Sequence, residues 1–138
     1  TGADLEFSPT TKNLERLVDS FGATQTVKTL RLRCNQHVTA DMAMKHLLQA
    51  FMLNKTIETV CVRGQQLTHV GMQHLGTALG YSRFITDVDI SHNCLDDQAA
   101  KYVAQAISTS MSVTRLNVSN NYIESDGAVA IAKVIPRN

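Results

Sequence analysis

The sequence predicts an α/β solenoid, with a curved parallel β-sheet on the concave side and helices on the convex side. Three observations predict it. Apolar residues recur along the chain with a period of 28, the first part of each period alternates apolar and other residues, and the second part has helical spacing. A single strand–helix unit cannot bury its apolar side alone, so stacked units must share one core.

The period is clearest in three consecutive strand segments. Ile57, Ile85 and Val113 are equally spaced by one period, and each opens a segment with apolar residues at its first, fourth, sixth and eleventh places. The segments read IETVCVRGQQL, ITDVDISHNCL and VTRLNVSNNYI. An earlier copy starts at Val27, and two additional residues after Leu32 make its unit longer than the others. The alternation within these segments predicts four short strands.

The second half of each unit predicts a helix. In GMQHLGTALG, AAKYVAQAIS and GAVAIAKVI, apolar residues recur three or four positions apart, which is the helical period. Small residues recur at Gly71, Ala99 and Gly127, where we expect helix and strand backbones to approach closely. One further helix, from about Thr10 to Gly22, is predicted before the first of these strands.

This organisation predicts one continuous domain. Residues 1–26 form an N-terminal partial repeat with a capping helix, and four repeats follow at residues 27–56, 57–84, 85–112 and 113–138. No polar capping repeat follows the last strand, and an open strand edge favours pairing with another chain. We therefore expect either that the chain is a fragment of a longer protein or that it self-associates through this C-terminal edge.

The repeat pattern carries a family resemblance. VTRLNVSNNYIESDGAVAIAKVI follows the pattern L-x-x-L-x-L-x-x-N-x-L and then x-x-x-G-x-x-x-L-x-x-x-L. It resembles the leucine-rich repeats of the ribonuclease-inhibitor-like subclass, over about Val27 to Ile135. The sequence departs from the pattern at Gln65, which replaces the repeat asparagine, and in its longer first loop. The resemblance implies protein binding, since members include inhibitors, innate-immune receptor tails, cytoskeletal proteins such as tropomodulin, and the activator of the Ran GTPase.

Amide side chains recur where each strand ends and the chain turns. Buried backbone groups in such a turn need hydrogen-bond partners, and an amide supplies both a donor and an acceptor. We interpret these amides as a structural ladder. Its members are Asn35, Gln65, Asn93 and Asn121.

The strand residues that alternate with the core positions face away from the helices. On this concave face, neighbouring strands lie about 4.8 Å apart, which places Arg115 beside Asp87. The first two repeats are basic there, Asp87 and Asp89 form the one acidic stripe, and arginine, which pairs well with carboxylates, is preferred to lysine. We expect a partner to bind here. The residues are Arg31, Arg33, Thr59, Cys61, Arg63, Asp87, Asp89, Arg115 and Asn117.

Composition bears on the partner and the compartment. A net charge of +1 and an aromatic content of 5% argue against nucleic acid. No apolar run reaches about 18 residues, so no membrane insertion is expected. Cys34, Cys61 and Cys94 offer no close pair, which predicts a reducing, cytoplasmic compartment.

No motif of catalysis or cofactor binding is present in the sequence. Asp87 and Asp89 lie about 6.6 Å apart on a strand and lack the further ligands that a metal ion requires. His69 and His74 are five positions apart, on different sides of a helix, unlike the pair of a zinc helix. No phosphate-binding glycine loop, nucleophile elbow or triad is found. We expect neither enzymatic activity, nor a cofactor, nor a metal ion.

We therefore predict a non-enzymatic interaction module or scaffold that binds a protein through its concave strand face. Three alternatives stay open. The first is a GTPase-activator-like accessory protein, resembling the Ran activator, that inserts a residue such as Arg63 into a partner's site. The second is a tropomodulin-like actin-binding repeat domain associated with the cytoskeleton. The third is a repeat segment of a nucleotide-binding innate-immune receptor.

Overall fold

The computed structural model describes residues 3–10, 12–13, 16 and 26–135. Within them, strands and helices alternate along one parallel five-stranded sheet of order β1-β2-β3-β4-β5. This confirms the predicted α/β solenoid. The elements are β1 (Ala3–Phe7), β2 (Val27–Leu32), α1 (Ala40–Leu53), β3 (Thr59–Cys61), α2 (His69–Tyr81), β4 (Asp87–Asp89), α3 (Asp97–Thr109), β5 (Arg115–Asn117) and α4 (Ser125–Val134).

The core lies between the sheet and the helices. Leu30, Val60 and Val88 stand side by side in the strand register, and each is at most 1% exposed. Leu75 of α2 and Val103 of α3 belong to the same core cluster and are fully buried. Burying one such aliphatic side chain stabilises the fold by about 1.5–3 kcal/mol, and the sequence period places an apolar residue at the same position of every unit.

Each of the first three helices begins at a side chain that caps it. The capping oxygen accepts a hydrogen bond from a backbone N–H two or three residues later, which satisfies one of the free donors of the first turn. These caps are Thr39, Thr68 and Asp96. Glu124 precedes α4 and makes no such side-chain bond.

The helix ends follow a repeat of their own. The residue after each of α1, α2 and α3 has an extended backbone, and its side-chain oxygen accepts from two N–H groups of the following loop. These residues are Asn54, Ser82 and Ser110. Because the loop is held by its own side chain, the next strand starts in a defined place.

Strand β1 was not predicted. It pairs in parallel with β2, with Leu5 opposite Leu30 and Phe7 opposite Leu32. The separation along the chain from Leu5 to Leu30 is shorter than the separation from Leu30 to Val60 or from Val60 to Val88, so β1 does not fit the period of the later strands. The predicted helix from Thr10 to Gly22 lies largely outside the described residues.

The recurring small residues of the helices meet a different neighbour from the one predicted. A Cβ atom on Gly71 would overlap the Asp41 carboxylate of α1, and one on Gly127 would overlap Asp97 and Ala100 of α3. The close contact is therefore between successive helices, and the expectation of a helix–strand contact at these glycines is wrong.

Candidate interaction surface

The register brings the predicted concave-face residues into two rows across the sheet. Thr59, Asp87 and Arg115 form one row, and Cys61, Asp89 and Asn117 continue the other row from Arg31. Arg33 and Arg63 lie just beyond the ends of their strands. The four arginines and Asn117 are exposed, whereas the other four predicted residues are partly buried.

Strand β1 adds two carboxylates to this face. Asp4 pairs with Thr29 in the register, Glu6 pairs with Arg31, and both acidic side chains are exposed. The prediction that Asp87 and Asp89 form the one acidic stripe is therefore wrong, because β1 forms a second one on the opposite side of the basic residues. The alternation in ADLEF was the signal for it.

Two of the four arginines have a carboxylate close by. Arg115 Nη1 lies 3.7 Å from Asp87 Oδ2, as the register predicts, and Arg33 Nε lies 3.5 Å from Glu6 Oε1. Such exposed pairs contribute at most about 1 kcal/mol each to the stability of the fold. Their main effect is therefore on where the paired side chains lie. In the described part of the chain, no carboxylate lies within 4.0 Å of Arg31 or Arg63.

Arg31 and Arg63 line one cavity of about 360 Å³ on the concave face. Cys61, which pairs with Arg31 in the register and precedes Arg63 by two positions, also lines this cavity and is partly buried. We call this cavity the arginine cleft. Its lining consists of Arg31, Leu32, Arg33, Cys61, Arg63, Gly64 and Gln65.

The carboxylate of Asp89 is engaged within its own repeat. Its Oδ1 accepts hydrogen bonds from the Ser91 backbone N–H at 2.9 Å and from the Ser91 hydroxyl at 2.6 Å. Asn117 holds Ser119 in the same way, at 3.1 and 2.7 Å. The side chain at this repeated position thus closes the end of its strand. Of the two carboxylates of the acidic stripe, that of Asp87 makes fewer bonds within the protein.

The amides of the two later repeats connect neighbouring turns. Asn93 Oδ1 accepts from the backbone N–H groups of Gln65 and Leu67 in the preceding repeat, at 2.9 and 3.0 Å. Its Nδ2 donates to three backbone carbonyls at 2.8–3.1 Å. Asn121 repeats the pattern, with its Oδ1 accepting from Asn93 and Leu95.

Each of the two earlier amides makes one hydrogen bond to the preceding part of the solenoid and others within its own turn. Gln65 Oε1 accepts from the Cys34 backbone N–H at 2.6 Å, and its Nε2 donates to the carbonyl of Arg63 in its own turn. Asn35 Oδ1 accepts from His37 and Val38 of its own loop. The longer first loop therefore uses the oxygen of its amide to close itself, while the Nδ2 of Asn35 donates to the carbonyl of Pro9 at 3.4 Å.

One turn position repeats with a left-handed backbone. Gly64, His92 and Asn120 have φ values of 68°, 56° and 55°. His92 and Asn120 also contact each other through Nε2 and Nδ2, 3.1 Å apart. In this conformation the N–H groups of Gly64 and His92 donate to the carbonyls of Ser91 and Ser119 in the next repeat.

The cysteines are three free, partly buried thiols. Burial, and then the Asp41 carboxylate, raise the pKa of the Cys34 thiol to about 11, which makes it a poor nucleophile. Among the described residues, no three His, Cys, Asp or Glu side chains are placed to hold a metal ion. No helix in the described part of the chain combines the length and apolar character needed to cross a lipid bilayer.

The last repeat leaves apolar residues exposed. Val113, Leu116 and Val118 are partly buried, although their counterparts one repeat earlier are at most 2% exposed. Cavities of about 350 and 320 Å³ open beside them, and Ile135 lines both. Strand β5 has β4 as its one strand neighbour among the described residues.

The comparisons with known proteins agree with this geometry. A family model described as "Leucine Rich repeat" matches residues 81–104 and 109–132. No curated protein matches the chain.

Two solved structures have a similar fold. One is the leiomodin-1 actin-binding site 2 (ABS2), at 14% sequence identity and a TM-score of 0.75, covering 94% of this chain and 75% of that one. The other is the tropomodulin C-terminal domain of Caenorhabditis elegans, at 12% identity and a TM-score of 0.73, covering 99% and 83%. At these identities the likeness concerns the fold. Together, the comparisons show leucine-rich repeats at residues 81–104 and 109–132, within a chain that folds as a leucine-rich-repeat solenoid.

Proposed function

We propose that this protein is a non-enzymatic interaction module that binds a protein partner through its concave strand face. The observation that carries the proposal is the order of charges across that face, which changes sign from one group of strands to the next. From β1 to β5 the charged side chains are Asp4 and Glu6, then Arg31, Arg33 and Arg63, then Asp87 and Asp89, and finally Arg115.

This arrangement favours selective protein binding over general attraction. Among the residues that the structure describes, four arginines and four carboxylates lie on the face, so its formal charge is balanced and a bulk polyanion gains little from it. Alternating stripes instead reward a surface that carries the opposite order of charges, which sets both specificity and orientation. Arginine supports this role because its planar guanidinium makes paired hydrogen bonds to carboxylates.

The test compares two charge reversals of equal size. Arg31→Glu/Arg63→Glu changes the concave face, and Lys45→Glu/Lys101→Glu changes exposed positions on the helices. Both variants and the wild type are used for affinity capture from the native cell, with thermal unfolding as a check on folding. We expect the concave variant to lose bound proteins that the helix variant retains. Equal recovery of the same proteins by all three would overturn the proposal.

A second candidate is actin binding, favoured by the likeness of the fold to the actin-binding site of leiomodin-1. The measurement is co-sedimentation of the purified chain with filamentous actin, together with the time course of pyrene-actin polymerisation. Actin binding that the concave charge reversal weakens would unite the two candidates. No binding and no change in polymerisation would reject actin and leave the concave-face proposal to the capture experiment.

Two further points belong to this proposal. The three free thiols support a reducing, cytoplasmic location, with cytoskeletal association if actin is the partner, and cell fractionation tests this. The open edge of β5 and the apolar residues beside it support self-association. Sedimentation velocity over a range of concentrations measures it, and a monomer throughout would reject it.

A further inference from the structure

We propose that the arginine cleft binds an extended acidic segment of the partner protein, with carboxylates two residues apart. This rests on the proposed function and names the chemistry that the concave face recognises. The cleft has a volume of about 360 Å³, which accommodates a few side chains of a peptide.

The charges in and around the cleft select carboxylates. Arg31 and Arg63 are exposed and, among the described residues, have no acidic group within 4.0 Å, whereas Arg33 and Arg115 each have one. Two arginines on adjacent strands that make no ion pair among the described residues gain most from an added carboxylate, because charge-assisted hydrogen bonds are the strongest of their class.

Glu6 shows how such a group can sit at this position. Its carboxylate lies at the rim of the cleft, 3.5 Å from Arg33 Nε. Arg31 and Arg63, which also line the cleft, make no ion pair with the described residues. A partner's carboxylates would therefore extend a contact that the chain already makes once.

The dimensions of the sheet set the spacing of the acidic residues. Arg63 lies on the strand next to Arg31 and two positions further along, because Arg31 pairs with Cys61. A step of about 4.8 Å across and about 6.6 Å along the sheet separates their backbones by about 8 Å. Alternate residues of an extended peptide are about 6.6 Å apart, a difference that flexible arginine side chains cover.

The flanks of the cleft limit the length of the acidic segment. Asp4 and Glu6 lie on one side, and Asp87 and Asp89 on the other. A long polyanion such as nucleic acid or an anionic membrane surface would meet these carboxylates on both sides. A short acidic motif fits between them, and neutral Cys61 and Gly64 leave room for its backbone.

The first experiment measures binding of a fluorescent peptide, Gly-Glu-Gly-Glu-Gly, and of its Gln analogue. We expect the Glu peptide to bind, the Gln peptide to bind at least about tenfold more weakly, and added salt to weaken the Glu peptide selectively. Arg31→Gln/Arg63→Gln should abolish the difference between the peptides. Arg83→Gln/Lys101→Gln removes the same charge from exposed positions elsewhere and should preserve it. Equal binding of both peptides, or an unchanged difference in the cleft variant, would overturn the inference.

The second experiment uses Cys61 as a reporter inside the cleft. Iodoacetate is anionic and iodoacetamide is neutral. The rate of alkylation of Cys61 by iodoacetate, divided by the rate with iodoacetamide, therefore reports the local positive potential. Mass spectrometry of tryptic peptides separates Cys61 from Cys34 and Cys94. We expect the ratio to fall in Arg31→Gln/Arg63→Gln, and the Glu peptide alone to protect Cys61. A ratio that does not respond to either change contradicts an anion-binding cleft.

The outcomes separate this inference from the proposed function. If neither peptide binds while Arg31→Glu/Arg63→Glu still loses its captured proteins, the acidic motif is wrong and concave-face binding stands. If the Glu peptide binds while the captured proteins stay the same, the cleft is an acidic-peptide site and the proposed function of the whole face is wrong.

Discussion

The Oδ1 atom of Asp41 accepts a hydrogen bond from the backbone N–H of Gly71 at 2.9 Å, across the boundary between two successive helices. The same carboxylate accepts from the N–H of Thr68 at 2.9 Å and from its hydroxyl at 2.5 Å. Asp97 repeats the relationship two repeats later, accepting from the N–H of Glu124 at 2.7 Å. The first turn of one helix thus supplies an acceptor to the N-terminus of the next, where free N–H groups and the helix dipole favour a negative charge.

Asp41→Ala should lower the free energy of unfolding by about 2 kcal/mol, because three donors lose a charged acceptor at a helix N-terminus. Urea denaturation measures the change. Asp126→Ala is the matched control, since Asp126 is an exposed acidic residue in the first turn of α4, and it should change stability by less than about 0.5 kcal/mol. Equal effects of the two substitutions would mean that the link between the helices contributes nothing.

Gly71→Ala should destabilise the protein by about 1–3 kcal/mol, because the added methyl group overlaps the Asp41 carboxylate and the Leu67 side chain. A double-mutant cycle with Asp41→Ala checks the cause. The penalty for Gly71→Ala should shrink when the carboxylate is absent, giving a coupling energy of at least about 0.5 kcal/mol. If the two substitutions changed the free energy of unfolding additively, the clash would involve atoms other than the Asp41 carboxylate.

Asn93→Ala should be the more damaging substitution within the amide ladder, costing about 3 kcal/mol or more. The side chain is 5% exposed and serves two N–H groups and three carbonyls, and each buried group left without a partner costs about 1–3 kcal/mol. Asn121→Ala, at a partly exposed position with the same bonding pattern, should cost less because water can replace some of the lost bonds. Guanidinium denaturation of both variants tests this order.

Gly64→Ala should cost about 1 kcal/mol through backbone conformation alone. Its φ of 68° disfavours a side chain, while the nearest atom to an added Cβ is 3.9 Å away, so no clash is involved. Gly64→Asn should cost less, since Asn120 adopts the same conformation at the corresponding position two repeats later. A larger loss for Asn than for Ala, measured by thermal unfolding, would contradict a conformational cause.

Cys34 predicts a defined dependence of stability on pH. Burial and the Asp41 carboxylate raise the pKa of this thiol from 9.0 to about 11, so the folded state holds its proton more tightly than the unfolded state. Its contribution is therefore fully present below pH 9 and is lost as the pH rises from 9.0 to about 11. The difference in unfolding free energy between wild type and Cys34→Ala should shift over this range. A pH-independent difference would show that the thiol titrates alike in both states.

The sequence alone predicted the repeats from Val27 onwards, because strand alternation and helical spacing recur there with one period. It did not predict β1, whose offset from β2 breaks that period. The omission also affected the candidate site. Without Glu6, Arg33 could not be distinguished from Arg31 and Arg63 as the arginine with an acidic neighbour.

The links between helices were missed for a different reason. An aspartate in a first helical turn is usually explained by the dipole of its own helix. The signal lay in a pairing at longer range, since Asp41 precedes Gly71 at the same spacing as Asp97 precedes Gly127. In the repeat between them, His69 stands at the position of the two aspartates, and Ala99 stands where the other repeats have glycine. No carboxylate approaches Ala99 from that position, so a methyl group can be present there. The assignment to the ribonuclease-inhibitor-like subclass stays a prediction from the period.

The two sets of side-chain bonds between repeats point in opposite directions along the chain. Asn93 and Asn121 reach back to the turn of the preceding repeat, while Asp41 and Asp97 reach forward to the next helix. The repeat at 57–84 thus receives acceptors from both of its neighbours, and the repeat at 85–112 supplies acceptors to both of its neighbours. Opening either of these central repeats therefore separates donors from their acceptors on both sides. Local opening is therefore shared, and native-state hydrogen exchange should show the central repeats protected as a single cooperative block.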